Sequence, residues 1–238
     1  MKKTQRILAA VLALILLLAL MPLVRAQTAE DFHAPYLCGY PDGSIRAETA
    51  LTREALAQVL YRMMDAAYLE QLGLCEGCFP DVPPERWSYT AVSTMAALGI
   101  LMADADGSFY PEQGVTGQML ALTLARIADT RAGREAMSAL ACGWKEQKIT
   151  FEDDNGWVMG LHDGVFAPDE PLTRGQFAAI MNRILGRTPG SLDDLMVGMP
   201  LFCDNVDTQY RYFLDLQEAA VGHSFRIIGE SEVWTGLG

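Results

Sequence analysis

DGSIRAETALTREALAQVLYRMMD occupies residues 42–65, and two later stretches align with it without gaps. They are DGSFYPEQGVTGQMLALTLARIAD at 106–129 and DGVFAPDEPLTRGQFAAIMNRILG at 163–186. Two residues past each glycine stands a bulky apolar group: Ile45, Phe109 or Phe166. Nine past is always threonine (Thr52, Thr116, Thr173), and nineteen past is always arginine (Arg62, Arg126, Arg183). A register kept over spacings of 64 and 57 residues is the signature of tandem supersecondary units.

Each unit has a readable local structure. Asp-Gly supplies a tight turn with positive φ at the glycine. A short extended stretch follows. The threonine is placed to cap a helix, with an apolar residue before it (Leu51, Val115, Leu172) able to act as a staple. Apolar side chains then recur on one face: Leu56, Val59, Leu60 and Met63 in the first helix, Leu120, Leu124 and Ile127 in the second, Phe177, Ile180, Met181 and Ile184 in the third. Arg62, Arg126 and Arg183 fall late in each helix, where a cation suits the dipole, and read as structural.

An upstream helix belongs to the unit as well. FPDVPPERWSYTAVSTMAALG, from Phe79, aligns ungapped with FCDNVDTQYRYFLDLQEAAVG, from Phe202. Phe79 matches Phe202, Asp81 matches Asp204, Tyr89 matches Tyr212 and Gly99 matches Gly222. Trp87, Tyr89, Tyr210 and Tyr212 take core-like positions, with sugar stacking as the other use for such rings. The chain therefore divides into a downstream half at 36–65, a repeat at 78–129, a repeat at 134–187 with a divergent upstream helix (Glu135 to Trp144), and a segment 188–238 holding an orphan upstream half at 202–223. Neither half can bury its apolar face alone. The expected architecture is mainly α, with short extended turns, the two halves pairing so that three units close on themselves.

Residues 1–26 read as an export signal. Lys2, Lys3 and Arg6 precede an apolar run from Ile7 to Leu20, and Val24-Arg25-Ala26 offers a cleavage site. The alternative is an uncleaved anchor, for which the run is short against the roughly 20 apolar residues of a span. No lipoprotein cysteine follows the run, and no later segment is apolar enough to span a bilayer, so no stable membrane span is expected once the signal is cleaved. Net charge is −12, and removing the four basic residues of the signal takes it to −16. Such a chain is repelled by phosphate backbones and anionic lipids, which argues against nucleic acid as a partner.

The cysteines are Cys38, Cys75, Cys78, Cys142 and Cys203. An odd count leaves at least one outside intrachain disulfides. Cys75-x-x-Cys78 stands without a second pair, so it reads as a loop disulfide or idle thiols rather than a zinc or redox motif. His33, His162 and His223 lie in no metal spacing and no nucleophile motif. Asp153-Asp154-Asn155-Gly156 hints at a calcium loop but lacks the distal glutamate. No catalytic residue, cofactor or metal site is expected. A carboxylate pair acting on wall glycan is the enzymatic alternative.

Phe79-x-Asp81-Val82, Trp87, Gly99-Ile100, Asp106-Gly107-x-Phe109-x-Pro111 and Leu172-Thr173-Arg174 together resemble the S-layer homology pattern. Gly39-Tyr40-Pro41-Asp42-Gly43 and Leu51-Thr52-Arg53-Glu54 fit it closely. The resemblance covers nearly all of the chain after residue 26, although Glu135 to Trp144 and 145–160 match poorly. It implies a mostly helical prism with pseudo-three-fold symmetry. It further implies a secreted protein held non-covalently on a Gram-positive-type wall through secondary cell-wall polysaccharide, often pyruvylated. An S-layer or other surface protein is a further possible partner, and an extracellular protein–protein scaffold is the alternative function. The residues that the resemblance marks as ligand contacts are Thr52, Arg53, Glu54, Asp42 and Gly43, with Thr173, Arg174, Asp163 and Gly164.

The residues also support an anion site physically. Arg53 and Arg174 occupy the first helical position, where a cation opposes the macrodipole at a cost of about 0.3–1 kcal/mol. Beside free helix N–H groups such an arginine suits a carboxylate. The competing reading pairs these arginines with acids of a neighbouring repeat, such as Asp81 or Glu85. Repeat two reads Val115-Thr116-Gly117-Gln118 and lacks the cation, so at most two competent sites are expected.

Overall fold

The computed structural model describes residues 31–64, 66–70, 72, 77–129, 169–187, 189–229 and 231–238. The export signal, Asp163, Gly164, the helix expected at 135–144 and the Asp153–Gly156 stretch lie outside the described residues. Within them, α1 spans Arg53–Met63, α2 Ala66–Leu69, α3 Tyr89–Ala97, α4 Gly117–Asp129, α5 Arg174–Leu185 and α6 Phe213–Ala220. No helix among the described residues is long and apolar enough to cross a membrane.

The turn chemistry forms as the sequence dictates. Gly43 and Gly107 take φ of 82° and 86°. Asp42 accepts from the Ser44 N–H at 3.0 Å, and Asp106 from the Ser108 N–H at 2.9 Å. Three threonines cap three helices: Thr52 accepts from the Ala55 N–H, Thr116 from Met119 and Thr173 from Gln176. Gln176 completes a capping box by accepting from the Thr173 N–H at 2.8 Å. Gly186 closes α5 in the left-handed region.

The residues before the caps meet at the centre of the molecule. The Leu51 N–H donates to the Leu172 carbonyl at 2.9 Å, Leu172 to Val115 at 2.8 Å, and Val115 back to Leu51 at 2.7 Å. All three side chains are buried. One strand-like residue from each repeat thus forms a closed ring of three backbone hydrogen bonds. The apolar faces of α1, α3, α4, α5 and α6 pack around this ring in one core. α1 lies against α3, and α5 against α6.

The two ends of the described chain are joined. Asp204 accepts from the N–H groups of Ile45 and Arg46 at 2.7 and 2.8 Å. Asp81 does the same for Phe109 and Tyr110, at 2.9 and 2.6 Å. The C-terminal half-repeat thus supplies the 42–50 turn with the contact that repeat two supplies to its own. α6 itself rests on α5, and its Ala219 carbonyl accepts from the N–H groups of Tyr36 and Leu37, both at 3.0 Å.

An antiparallel sheet, which the repeat pattern does not predict, finishes the join. β1 (Asp31–His33), β2 (His223–Ile228) and β3 (Ser231–Leu237) pair in that order. A tight turn with Gly229 at φ 68° links β2 to β3. Beneath the sheet, Leu195, Phe213, Val221 and Trp234 form a second small core.

Candidate functional site

The N-termini of α1 and α5 are closed by backbone, which corrects the expectation of free N–H groups there. Arg53 N–H donates to the Gln113 carbonyl at 2.9 Å and Glu54 N–H to Pro111 at 3.0 Å. Arg174 N–H donates to Thr49 and Gly175 N–H to Ala47, both at 2.9 Å. Each helix start is capped by the turn of another repeat, and the helix N-terminus offers no ready anion seat. Carbonyl oxygens at these termini also compensate the cation that the macrodipole disfavours.

The two arginines use their side chains differently. Arg53 is 8% exposed; its Nη1 reaches Asp104 Oδ1 at 3.1 Å and its Nη2 donates to the Met102 carbonyl at 2.9 Å. The partner acid is therefore Asp104, not Asp81 or Glu85: Asp81 is held by the turn of its own repeat. Arg174 is 5% exposed and makes no ion pair among the described residues; it donates to the carbonyls of Ile45 (2.7 Å) and Cys38 (2.6 Å). Burial pushes its pKa down from the usual arginine value. Tyr40 lies under its guanidinium at 5.1 Å.

Glu54 is drawn into an interdomain-like tie between repeats. Arg86 grips it with Nε and Nη2 at 2.7 and 2.9 Å, and the Ser88 hydroxyl donates to it at 2.6 Å. Those hydrogen bonds, with a further one to Glu112, raise the Arg86 pKa. Asp42 is engaged by the Ser44 hydroxyl and by Arg46 Nη2 at 2.9 Å.

Beside Arg53 opens a groove of about 250 Å³. Its lining includes Arg53 and Asp104, Gln118, Thr123 and Arg126 of α4, and the apolar side chains of Met102 and Leu122. Two guanidinium groups against one carboxylate leave the groove net positive in a strongly acidic chain. A neighbouring depression holds Asp81, Asp104 and Glu112 and so repels anions. Arg126, read from sequence as structural, thus lines the groove: helical position shows which face a residue takes, but not what lies across from it.

The family profile of the S-layer homology domain matches residues 79–118 and 155–178. Those residues are S-layer homology domain sequence. It is similar to cell surface glycoprotein 1 of Acetivibrio thermocellus, at 28% identity over 219 residues, covering 86% of this chain and 9% of that protein. It is similar to the cellulosome-anchoring protein of the same organism, at 24% identity over 202 residues, covering 82% of this chain and 44% of that one. S-layer protein EA1 of Bacillus anthracis is 19% identical over 160 residues, covering 63% of this chain and 19% of that protein. The chain thus spans less than half the length of these relatives. No solved structure matches it.

The aromatic residues divide. Tyr212 is buried against Gly175, whose absent Cβ leaves room for the ring. Trp87 is 62% exposed, contrary to its expected core position. It precedes α3, which begins at Tyr89, so helical spacing does not govern it. Cys38 and Cys203 are exposed free thiols, whereas Cys78 is disulfide-bonded.

Proposed function

We propose that this S-layer homology protein attaches non-covalently to the cell surface by binding an anionic polysaccharide of the wall, with the Arg53 groove as a principal contact. The observation that carries this is that Arg53 and Arg126 line one open groove together with a single acid, Asp104. Acidic substituents such as pyruvate ketals fit a guanidinium through bidentate hydrogen bonds, and the Met102 and Leu122 side chains fit the apolar face of a sugar ring. The names of the relatives, a cell surface glycoprotein, an anchoring protein and S-layer proteins, support a place at the cell surface. Arg174, whose guanidinium donates to the carbonyls of Ile45 and Cys38, is the second contact in this reading. A closed three-fold prism, whose inter-repeat grooves carry these arginines, is the architecture we infer; the Leu51–Leu172–Val115 ring supports it.

The test is retention of the purified chain on isolated wall polysaccharide, with and without its acidic substituents. Wild type is expected to be retained, Arg53→Ala to lose at least about tenfold in affinity, as expected for a charge-assisted contact, and stripping the acidic groups to have the same effect. Sedimentation with the wall that is unchanged by either treatment would overturn the proposal.

A further inference from the structure

Outside the groove, one cluster of titratable groups has no part in wall binding. His33 on β1, Glu218 on α6, His223 on β2 and Glu232 on β3 converge, with one ligand atom of each within 4.8 Å of the others. His33 Nδ1 stands 3.0 Å from Glu218 Oε1 and 3.1 Å from Glu232 Oε1. His223 Nε2 stands 3.2 Å from Glu218 Oε2 and 3.1 Å from Glu232 Oε1. All four side chains are buried.

Two features of the cluster point to a positive occupant. The Val221 carbonyl lies 2.8 Å from His223 Nδ1 and can only accept, so Nδ1 carries the proton. In neutral histidine that leaves a lone pair at Nε2, aimed at two carboxylates. Glu232 Oε2, in turn, is buried without a hydrogen-bond partner. The surroundings hold the set rigidly: Trp234 Nε1 donates to Glu218 Oε2 at 3.0 Å, His223 stacks on Trp234 at 3.8 Å, and His33 on Phe225 at 3.9 Å.

We propose that His33, Glu218, His223 and Glu232 form a structural site for a divalent transition metal, zinc foremost. Ligands of a tetrahedral zinc at about 2.0–2.1 Å stand about 3.4 Å apart, so the four histidine–glutamate contacts open by a few tenths of an ångström while the wider separations, which reach at most 4.8 Å, draw in around the ion. Two imidazoles and two carboxylates suit zinc; calcium and magnesium would require more oxygen donors. The metal's charge balances the two carboxylates with both imidazoles neutral. The carbonyl–His223 and Trp234–Glu218 contacts are the outer bonds that typically orient such ligands. Burial on all sides leaves no open coordination position, so the ion would staple β1 to α6 and the β2–β3 hairpin rather than catalyse. The histidines, far apart in sequence, gave no metal spacing; the fold alone brings them together.

The experiment is zinc titration of the chelator-treated, thiol-alkylated chain, followed by calorimetry and thermal unfolding, with cobalt as a spectroscopic substitute. The expected result is one zinc per chain, a raised unfolding midpoint and the intense visible bands of tetrahedral cobalt. Glu232→Gln and His33→Gln are each expected to weaken zinc binding by at least about tenfold. Absence of binding by the wild-type chain would overturn the site. So would binding that both variants retain at full strength. The wild-type titration stands even where a variant fails to fold, and wall binding does not enter the readout.

Discussion

Asp204 holds Ile45, 159 positions away in the chain, by a 2.7 Å hydrogen bond to its backbone N–H. A second bond reaches Arg46, which sits at φ 54°. Tyr110, the Arg46 counterpart in repeat two, has the same φ of 54° and the same kind of bond, from Asp81. Non-glycine residues reach this region only at a cost, and the carboxylate offsets it in both places. Asp204→Ala removes two charge-assisted bonds and is expected to lower stability by about 2–4 kcal/mol. Urea denaturation of the variant beside Asp81→Ala should give similar losses. A loss below about 0.5 kcal/mol at Asp204 alone would show that the chain ends are not energetically joined there.

Glu54 ties α1 to the loop before α3 through Arg86 and Ser88. Glu54→Ala removes the bidentate grip of Arg86, which keeps Glu112, and the acceptor of the Ser88 hydroxyl, and is expected to cost about 1–3 kcal/mol. Glu54→Gln keeps the shape and part of the bonding, so its cost should be about half as large. Denaturant midpoints at constant slope check both values.

Asp104 competes with any anionic ligand for Arg53. Asp104→Asn is therefore expected to strengthen retention on acidic wall polysaccharide, by roughly three- to tenfold for a coupling of about 1 kcal/mol. Arg126→Ala should weaken retention with little change in melting temperature. Binding isotherms at two salt concentrations check the pair. Two variants that move affinity in opposite directions are hard to attribute to unfolding.

Gly175 and Gly114 are held by close approach rather than by φ. A Cβ at Gly175 would lie 2.7 Å from Tyr212 Cδ2, and one at Gly114 2.8 Å from Pro171 Cβ. Gly175→Ala and Gly114→Ala are each expected to destabilise by about 1–3 kcal/mol through overpacking. Thermal melts are sufficient to measure this.

The repeats were legible because their signals are local. Asp-Gly turns, threonine caps and one-sided apolar spacing act within a few residues, and the structure places the helices at 53–63, 117–129 and 174–185 where those signals put them. The alignment of Phe79 with Phe202 even anticipated that Asp81 and Asp204 would be equivalent. What lay beyond the sequence was pairing between distant segments. Nothing near Arg53 names Asp104 as its partner, or Pro111 and Gln113 as caps for its helix. The β2–β3 hairpin has a weaker local signal: Phe225-Arg226-Ile227-Ile228, with a charge among its apolar residues, and Val233-Trp234-Thr235 flank a glycine turn. Polar His223, Ser224, Arg226 and Glu232 interrupt the apolar pattern of both strands, so it does not stand out.

The Leu51–Leu172–Val115 ring sets how such a protein can change in size. In a solenoid each unit touches only its neighbours, so a unit can be gained or lost at the end with the rest intact. In a closed ring every member both gives and receives, and deleting one orphans a donor and an acceptor at the buried centre. A fourth member has no vacant position to enter. Duplication within this architecture can therefore succeed only by copying the whole set of three, so that longer descendants would carry these units in multiples of three.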